Sequence, residues 1–344
     1  MIVKTISLVV PCYNETHTIP AFYKRVVALA ELMSRQSFEF IFVNDGSTDG
    51  TDRILNDLAL KDQRVKILHL AKNRGQQIAL IAGMDFATGE MIVTIDADLQ
   101  DPPELITEMM KKIEDGYDVV HAQRRHRSGE TWFRLATAKL YYRILKMLSQ
   151  LPIIDECSEF RAFSRAVLLA VSEFRTSHRF LRGTFIQVGF RQCIIQYDRD
   201  PRYAGYSKYP FCKLMDLAID GILSFSSVPI RIITWLSIIL CTCVLIQLLA
   251  VLYEHSFLHS AINIWSLIIA TMFFFTGLIL FILFSIAIIA LYIGRIFQQG
   301  QNQPLYWIYE TRNIDIACIS EKALELREVR LSQQIMKENN CDRS

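Results

Sequence analysis

Two long stretches without a charged side chain constrain this chain more than any other feature. Ile232–Tyr253 runs for 22 residues and Ser260–Gly294 for 35 without Asp, Glu, Lys or Arg. About 20 apolar residues cross the hydrocarbon core of a bilayer, so each stretch is long enough to span one. The second exceeds that need and can tilt or project into the headgroups. Glu254–His259, between them, holds no Lys or Arg, whereas Lys213, Arg231 and Arg295 flank the outer ends. Excess positive charge stays on the cytoplasmic side, which places both termini there and a short hairpin outside. The amino-terminal apolar run, Ile6–Val10, is too short for a secretory leader and leads directly into polar residues.

The remainder reads as globular. Of 344 residues, 51% are hydrophobic and 21% charged, which excludes disorder for the bulk of the chain. A net charge of only +2 lacks the basic excess of a nucleic-acid binder, so no nucleic-acid partner is expected. The eight cysteines include no Cys-x-x-Cys pair and two lie inside an apolar stretch, a pattern of reduced thiols with neither a zinc site nor a disulfide framework.

Upstream of the apolar stretches, short β-branched runs recur: Ile6–Val10, Phe38–Val43, Val65–Leu70, Met91–Ile95 and Asp118–His121. Helical stretches fill the gaps; Ala21–Arg35 repeats apolar residues at helical spacing. Asp101-Pro102-Pro103-Glu104 reads as a helix start, with Asp as the cap and Pro early in the first turn. Alternating strand and helix predicts an α/β fold with a mostly parallel sheet covered on both faces. Such sheets bind ligands at the carboxyl ends of their strands. Those ends carry PCYNE (11–15), NDGSTD (44–49), AKNRGQ (71–76), DADLQD (96–101) and AQRRHR (122–127), nearly all rich in carboxylates, amides or guanidinium groups. No Gly-x-Gly and no GxxxxGK occurs, so a nucleotide would be held by neither the dinucleotide fingerprint nor a Walker A loop.

Asp96 and Asp98 stand at i and i+2 after the fourth run. In extended chain both point the same way, and paired carboxylates call for a cation; Mg²⁺ or Mn²⁺ would suit such oxygen donors, with Gln100 adding an amide oxygen. The alternative is a polar turn whose aspartates cap the next helix. Asp45 can bind a base edge or ribose hydroxyl, or serve the turn before Gly46. Glu15 is a ligand contact or a helix-start acid. Arg124 and Arg127 can grip phosphate bidentately, or form a solvated basic loop. Thr131–Gln150 carries four basic and no acidic residues, with Lys139, Arg143 and Lys146 on one side. It reads as a helix lying on an anionic membrane surface, or as an amphipathic helix packed on the sheet. Phe211–Ser227 reads as a second interfacial helix, and Ser320–Asn339 as a helix in the tail.

Taken in order, PCYNE, NDGSTD, NRGQ, DADLQDPPE, SEFR (158–161) and RYAGYSKY (202–209), followed by two spans, resemble the polyprenyl-phosphate glycosyltransferases of inverting glycosyltransferase family 2. The resemblance covers residues 4 to about 300. It implies a GT-A nucleotide-sugar-binding fold with interfacial helices and a two-helix transmembrane hairpin. The implied division is a cytoplasmic catalytic domain over 1–210, an interfacial helix over 211–229, two spans over 230–294 and a cytoplasmic tail over 295–344. It implies transfer of one sugar from a nucleotide-sugar, with UDP the favoured nucleotide, to undecaprenyl phosphate at the bacterial inner membrane. By the same resemblance Pro11, Tyr13, Glu15 and Asp45 hold the nucleoside, and Asp96, Asp98 and Gln100 the metal and diphosphate. Arg124, Arg127, Arg199, Arg202, Ser207 and Lys208 then hold phosphates of donor or acceptor. Asp98 and Glu159 are the implied catalytic pair, though Glu159 stands where relatives often carry Asp and so either positions groups or transfers a proton. A homotetramer is a further implication. A processive polysaccharide synthase is the competing enzyme reading, but its QxxRW motif is missing around Trp132, Trp235, Trp265 and Trp307. A non-catalytic membrane scaffold with a transferase fold is the third.

Overall fold

The structure is a computed structural model. It describes residues 4–125, 157–174, 181–198, 228–253, 264–301 and 303–314. The expected helices over 131–150, 211–227 and 320–339, and the external hairpin at 254–259, lie outside the described residues.

The five expected strands are present: β1 (Thr5–Cys12), β2 (Ser37–Asn44), β3 (Val65–Leu70), β4 (Met91–Thr94) and β5 (Val119–Arg124). Between them run α1 (Ile19–Leu32), α2 (Thr51–Lys61), α3 (Gln76–Asp85) and α4 (Ile106–Glu114). Next come β6 (Cys157–Ser164), α5 (Arg165–Ser172), α6 (Leu181–Gln187) and β7 (Gln192–Tyr197). The long helices α7 (Val228–Tyr253) and α8 (Ile264–Gly300) precede a last strand, β8 (Ile308–Arg312). One sheet takes the order β7-β5-β6-β4-β1-β2-β3-β8. Strands β3, β2, β1 and β4 are parallel neighbours, β6 inserts antiparallel between β4 and β5, and β8 closes the far edge antiparallel to β3. This mixed α/β sheet is the GT-A-like arrangement that the resemblance implied.

Period-two alternation explains why both faces are covered. Ile6, Leu8 and Val10 of β1 join Phe38, Phe40 and Phe42 of β2 in a core beneath α1 and α4, where Phe22, Val26, Ile106 and Met109 meet them. Val9, Ile41 and Val43 point the other way, into a core shared with Leu80, Val167 and Phe185. Each fully buried aliphatic or aromatic side chain contributes roughly 1.5–3 kcal/mol. Helix α3 lies so close to the sheet that a Cβ on Gly83 would come within 2.4 Å of Val9 Cγ1. Helix α1 shows the expected spacing, with Ile19, Phe22, Val26, Leu29 and Ala30 buried.

The start of α4 departs from expectation. A 3-10 turn over Pro103–Leu105 precedes it, no side chain caps either element, and Glu104 instead forks onto Arg25 of α1 at 2.7 and 2.8 Å. Asp101 is drawn away from the cap by partners described below.

Of the described residues, one stretch is long and apolar enough to cross a membrane, Phe274–Gly294 in α8, and none of it is buried. Helix α7 contributes the shorter apolar stretch Ile230–Leu240. Helix α8 reaches about 55 Å, well beyond a bilayer core.

Strand β8 was not expected. Leu305, Tyr306, Ile308 and Ile314 pack against the second core. Tyr306 donates from its hydroxyl to Asp85 Oδ2 at 2.7 Å, and Ala71 N–H donates to the Trp307 carbonyl at 2.8 Å. Asn313, at φ 54°, donates from Nδ2 to the carbonyls of Ala59 at 2.8 Å and Val65 at 2.9 Å. The expected tail over 295–344 thus supplies a strand to the sheet and covers its exposed edge.

This packing can be tested at two positions. Asn313→Ala should lower stability by about 1–3 kcal/mol in denaturant or thermal unfolding, because it strands two carbonyls and strains a positive φ; Asn313→Gly should cost less than Asn313→Ala. His121 of β5 is buried, lies opposite Arg161 in the β5–β6 register, and makes a 3.0 Å hydrogen bond between Nε2 and Gln192 Oε1. Burial, then the Arg161 charge, pull its pKa from 6.5 down to about 4, against Gln192 and Glu159. A depressed folded pKa means that the unfolded chain takes up the proton first. This contribution is therefore complete above pH 6.5 and is lost as pH falls toward 4, on the order of 3 kcal/mol. His121→Gln should flatten unfolding free energy against pH in that window; an unchanged slope would contradict the assignment.

Candidate active site

The loops after β1 and β2 are laced into one wall at the carboxyl edge. Asn14, at φ 55°, donates its N–H to Ser47 Oγ at 3.0 Å, and its side-chain oxygen accepts from Thr48 N–H at 2.9 Å. Glu15 N–H donates to Thr51 Oγ1 at 2.9 Å. Glu15 precedes α1 without capping it: its Oε2 accepts from the Thr18 hydroxyl at 2.7 Å, and its carbonyl accepts from Thr18 and Ile19 N–H. Asp49 fastens the same wall. Burial acts to raise its pKa, but hydrogen bonds from Thr51 and Thr16 outweigh that and bring it down to about 2. Pro11, one residue before the end of β1, lies beside Val43, and Tyr13 is exposed where the wall meets solvent.

Asp45 is only 2% exposed. Its Oδ1 accepts from Arg74 N–H at 2.7 Å and its Oδ2 from Gly75 N–H at 2.8 Å. Its own N–H donates to the Cys12 carbonyl at 2.9 Å. Burial raises its pKa, opposed by those two amides and the Arg74 charge. The next residue, Gly46, has φ +66°, and a Cβ there would sit 2.6 Å from Asn73 N. The loops after β2 and β3 are therefore locked together through a carboxylate and a close backbone approach.

Asp96 and Asp98 are both half-buried at the end of β4. The strand ends at Thr94 and Ala97-Asp98 form a turn, with Leu99 at φ 59°. Extended-chain alternation is thus not what brings the two aspartates together; the turn is. Asp98 Oδ1 accepts from Gln100 N–H at 3.1 Å, so part of its role is to hold that turn. Asp96 Oδ1 accepts from Gln76 Nε2, the first residue of α3, at 2.5 Å. Burial raises the Asp96 pKa, and the charges of Asp98, Asp101 and Glu159 raise it further, while Arg124 opposes them.

Asp101 is fully buried. It accepts from the Tyr197 hydroxyl and pairs with Arg124 at 3.5 Å, while Arg124 Nε donates to the Tyr197 oxygen at 3.2 Å. Burial and the Asp101 charge push the Tyr197 hydroxyl up to about 12, so it stays a donor. Burial disfavours the Arg124 charge, but Asp101, Tyr197 and Asp96 more than compensate and raise its pKa. Glu159 is 7% exposed and pairs at 2.7 Å with Arg161, whose guanidinium lies 4.6 Å over the Phe185 ring. The Thr94 hydroxyl donates to the Glu159 carbonyl at 2.6 Å, fixing β6 against the end of β4.

The structure thus gathers Asp96, Asp98, Asp101, Glu159 and Arg124 at one end of β4, with Gln100 on the same turn. Pro11, Tyr13, Glu15 and Asp45 line the neighbouring strand ends. Arg127, Arg199, Arg202, Ser207 and Lys208 lie outside the described residues. Sequence reasoning passed over Gln76, Asp101 as a charge partner, and Tyr197; the β-branched run before Tyr197 was the one signal available for the last. Among the described residues, no three His, Cys, Asp or Glu side chains are arranged to hold a metal ion by themselves. The oxygen donors of Asp96 and Asp98, with Gln100 on the same turn, are nevertheless of the type that suits a hard divalent cation whose remaining ligands would come from a diphosphate.

Residues 7–171 match the family described as glycosyl transferase family 2. The uncharacterized glycosyltransferase YkcC of Bacillus subtilis (strain 168) is 40% identical over 309 residues, covering 90% of this chain and 94% of the relative. The prophage bactoprenol glucosyl transferase homolog of Escherichia coli (strain K12) is 35% identical, covering 88% and 98%. The SfII prophage-derived bactoprenol glucosyl transferase of Shigella flexneri is 34% identical, covering 88% and 97%. With relatives at this identity over most of its length, the chain belongs to glycosyl transferase family 2, in its polyprenyl-phosphate glycosyltransferase-like group.

Proposed function

We propose that this glycosyltransferase moves a single sugar from a nucleotide-sugar, with UDP as the favoured nucleotide, to a polyprenyl phosphate such as undecaprenyl phosphate at the cytoplasmic face of the bacterial inner membrane. The observation that carries the reading is the direction of β8. It runs antiparallel to β3, with Ile308 beside Leu70 and Arg312 beside Ile67. The end of β8 that leads back to α8 therefore lies at the carboxyl edge, the edge that holds Asp96 and Asp98. Seven residues separate Gly300 from Ile308, at most roughly 25–30 Å of chain. A helix apolar enough to span a bilayer is thus tethered to the carboxyl edge of the sheet, which favours an acceptor that is itself in the bilayer. Helix α7 as a second span, the interfacial segments and the boundaries at 210, 229 and 294 belong to the same proposal.

The acceptor phosphate is already anionic near neutral pH, so attack needs no strong base. One bond forms between a lipid-phosphate oxygen and the anomeric carbon. The bond from that carbon to the diphosphate oxygen breaks, its electron pair leaves with the nucleoside diphosphate, and in-line attack inverts the configuration. The difficulty is electrostatic, because two anions must meet. Arg124, fixed by Asp101 and Tyr197, supplies positive charge beside Asp96 at no cost of reorganisation. Arg127, Arg199, Arg202, Ser207 and Lys208 are proposed to receive the acceptor phosphate. Pro11, Tyr13 and Glu15 flank the nucleoside. Glu159, committed to Arg161, positions the end of β4 and performs no proton transfer. Asp96 and Asp98, with Gln100 as a further oxygen donor, would hold Mg²⁺ or Mn²⁺, which when bound would supply Lewis-acid stabilisation of the departing diphosphate.

Purified protein with Mg²⁺ or Mn²⁺ should transfer label from one member of a panel of UDP- and GDP-sugars onto undecaprenyl phosphate. EDTA should abolish transfer, and Asp98→Ala should lower turnover at least about 100-fold while the protein still folds and inserts. Absence of labelled lipid with every sugar in the panel would refute the proposal.

A further inference from the structure

Three strand ends are joined by a continuous chain of hydrogen bonds that the chemistry above does not use. Asp45, after β2, holds the N–H groups of Arg74 and Gly75 with its two carboxylate oxygens, at 2.7 and 2.8 Å. Gly75 has φ +89° and its carbonyl accepts from Ile78 and Ala79 N–H, so the same residue starts α3. Gln76, the next residue, reaches across to Asp96 after β4 and donates to Oδ1 at 2.5 Å.

We propose that Asp45 is a positioning residue acting through Gln76: it sets the loop after β3 so that the Gln76 amide holds Asp96 in the orientation in which it meets the donor's cation and diphosphate. Asp45 is buried and both its oxygens are engaged by main-chain amides, an arrangement suited to fixing a loop more than to reading a nucleoside. Aspartate suits this position chemically. A carboxylate presents two acceptor oxygens to two N–H groups, whereas an asparagine presents one acceptor and would turn its NH₂ toward the other amide. Partners behind a metal ligand fix its orientation, and their removal costs about 10–100-fold in metal affinity. This inference rests on the cation reading above.

The test is Mn²⁺ binding, read by electron paramagnetic resonance on the full-length protein in detergent with UDP present, for the unaltered protein, Asp45→Asn, Gln76→Ala and the double variant. Each single variant should weaken Mn²⁺ binding by about 10-fold. The double variant should be no weaker than the worse single one, because both changes break one chain of contacts. Losses that multiply in the double variant would overturn the proposal and return Asp45 to an independent contact with the nucleotide. Unchanged Mn²⁺ affinity in Gln76→Ala would overturn it as well, and that variant decides alone if Asp45→Asn fails to fold. An unaltered protein that binds no Mn²⁺ would sink the cation reading itself, an outcome distinct from either of the others.

Discussion

Repulsion among carboxylates at the end of β4 is the constraint around which the rest of this structure is arranged. Asp96, Asp98, Asp101 and Glu159 gather there, and each must be answered if the fold is to hold. Glu159 is answered by Arg161, and Asp101 by Arg124 and Tyr197. Asp98 holds the Gln100 N–H across its turn, and Asp96 receives the neutral amide of Gln76. Asp101 and Glu159, the two buried carboxylates, thus pair with arginines, while the half-buried Asp96 and Asp98 hold amides.

Much of the same network is also the framework of the sheet. The Glu159–Arg161 pair lies on β6, which runs antiparallel between β4 and β5, and Thr94 ties it to the strand that carries the aspartates. Breaking such a buried pair by removing one partner leaves an uncompensated charge, so Glu159 matters to the fold before it matters to any reaction. At the other edge, β8 pairs with β3, and Asn313, just after it, bonds the end of α2 through Ala59 and the start of β3 through Val65.

Local sequence patterns disclosed the parallel half of the sheet and the loops that face the ligand edge, because β-branched runs and polar loop clusters are short-range signals. They disclosed less where the deciding contact is long-range. Strand β6 was read as a motif, since Glu159 and Arg161 give it a polar look that their mutual pairing removes. Strand β8 follows an apolar helix and pairs with a strand more than 200 residues earlier. Asp101 has the spacing of a helix cap, yet Tyr197 and Arg124, distant in sequence, outcompete the helix for it. Asp96 and Asp98 were placed together for the wrong geometric reason: the strand stops at Thr94, and a turn with a left-handed Leu99 brings them round.

The most direct measurement is an experimental density map of the full-length protein in a lipid nanodisc with UDP and Mn²⁺. The account predicts manganese between the diphosphate and the Asp96–Asp98 turn, with that edge of the sheet facing the bilayer. Nucleotide bound elsewhere, or those two side chains directed into a cavity closed off from the lipid, would contradict it.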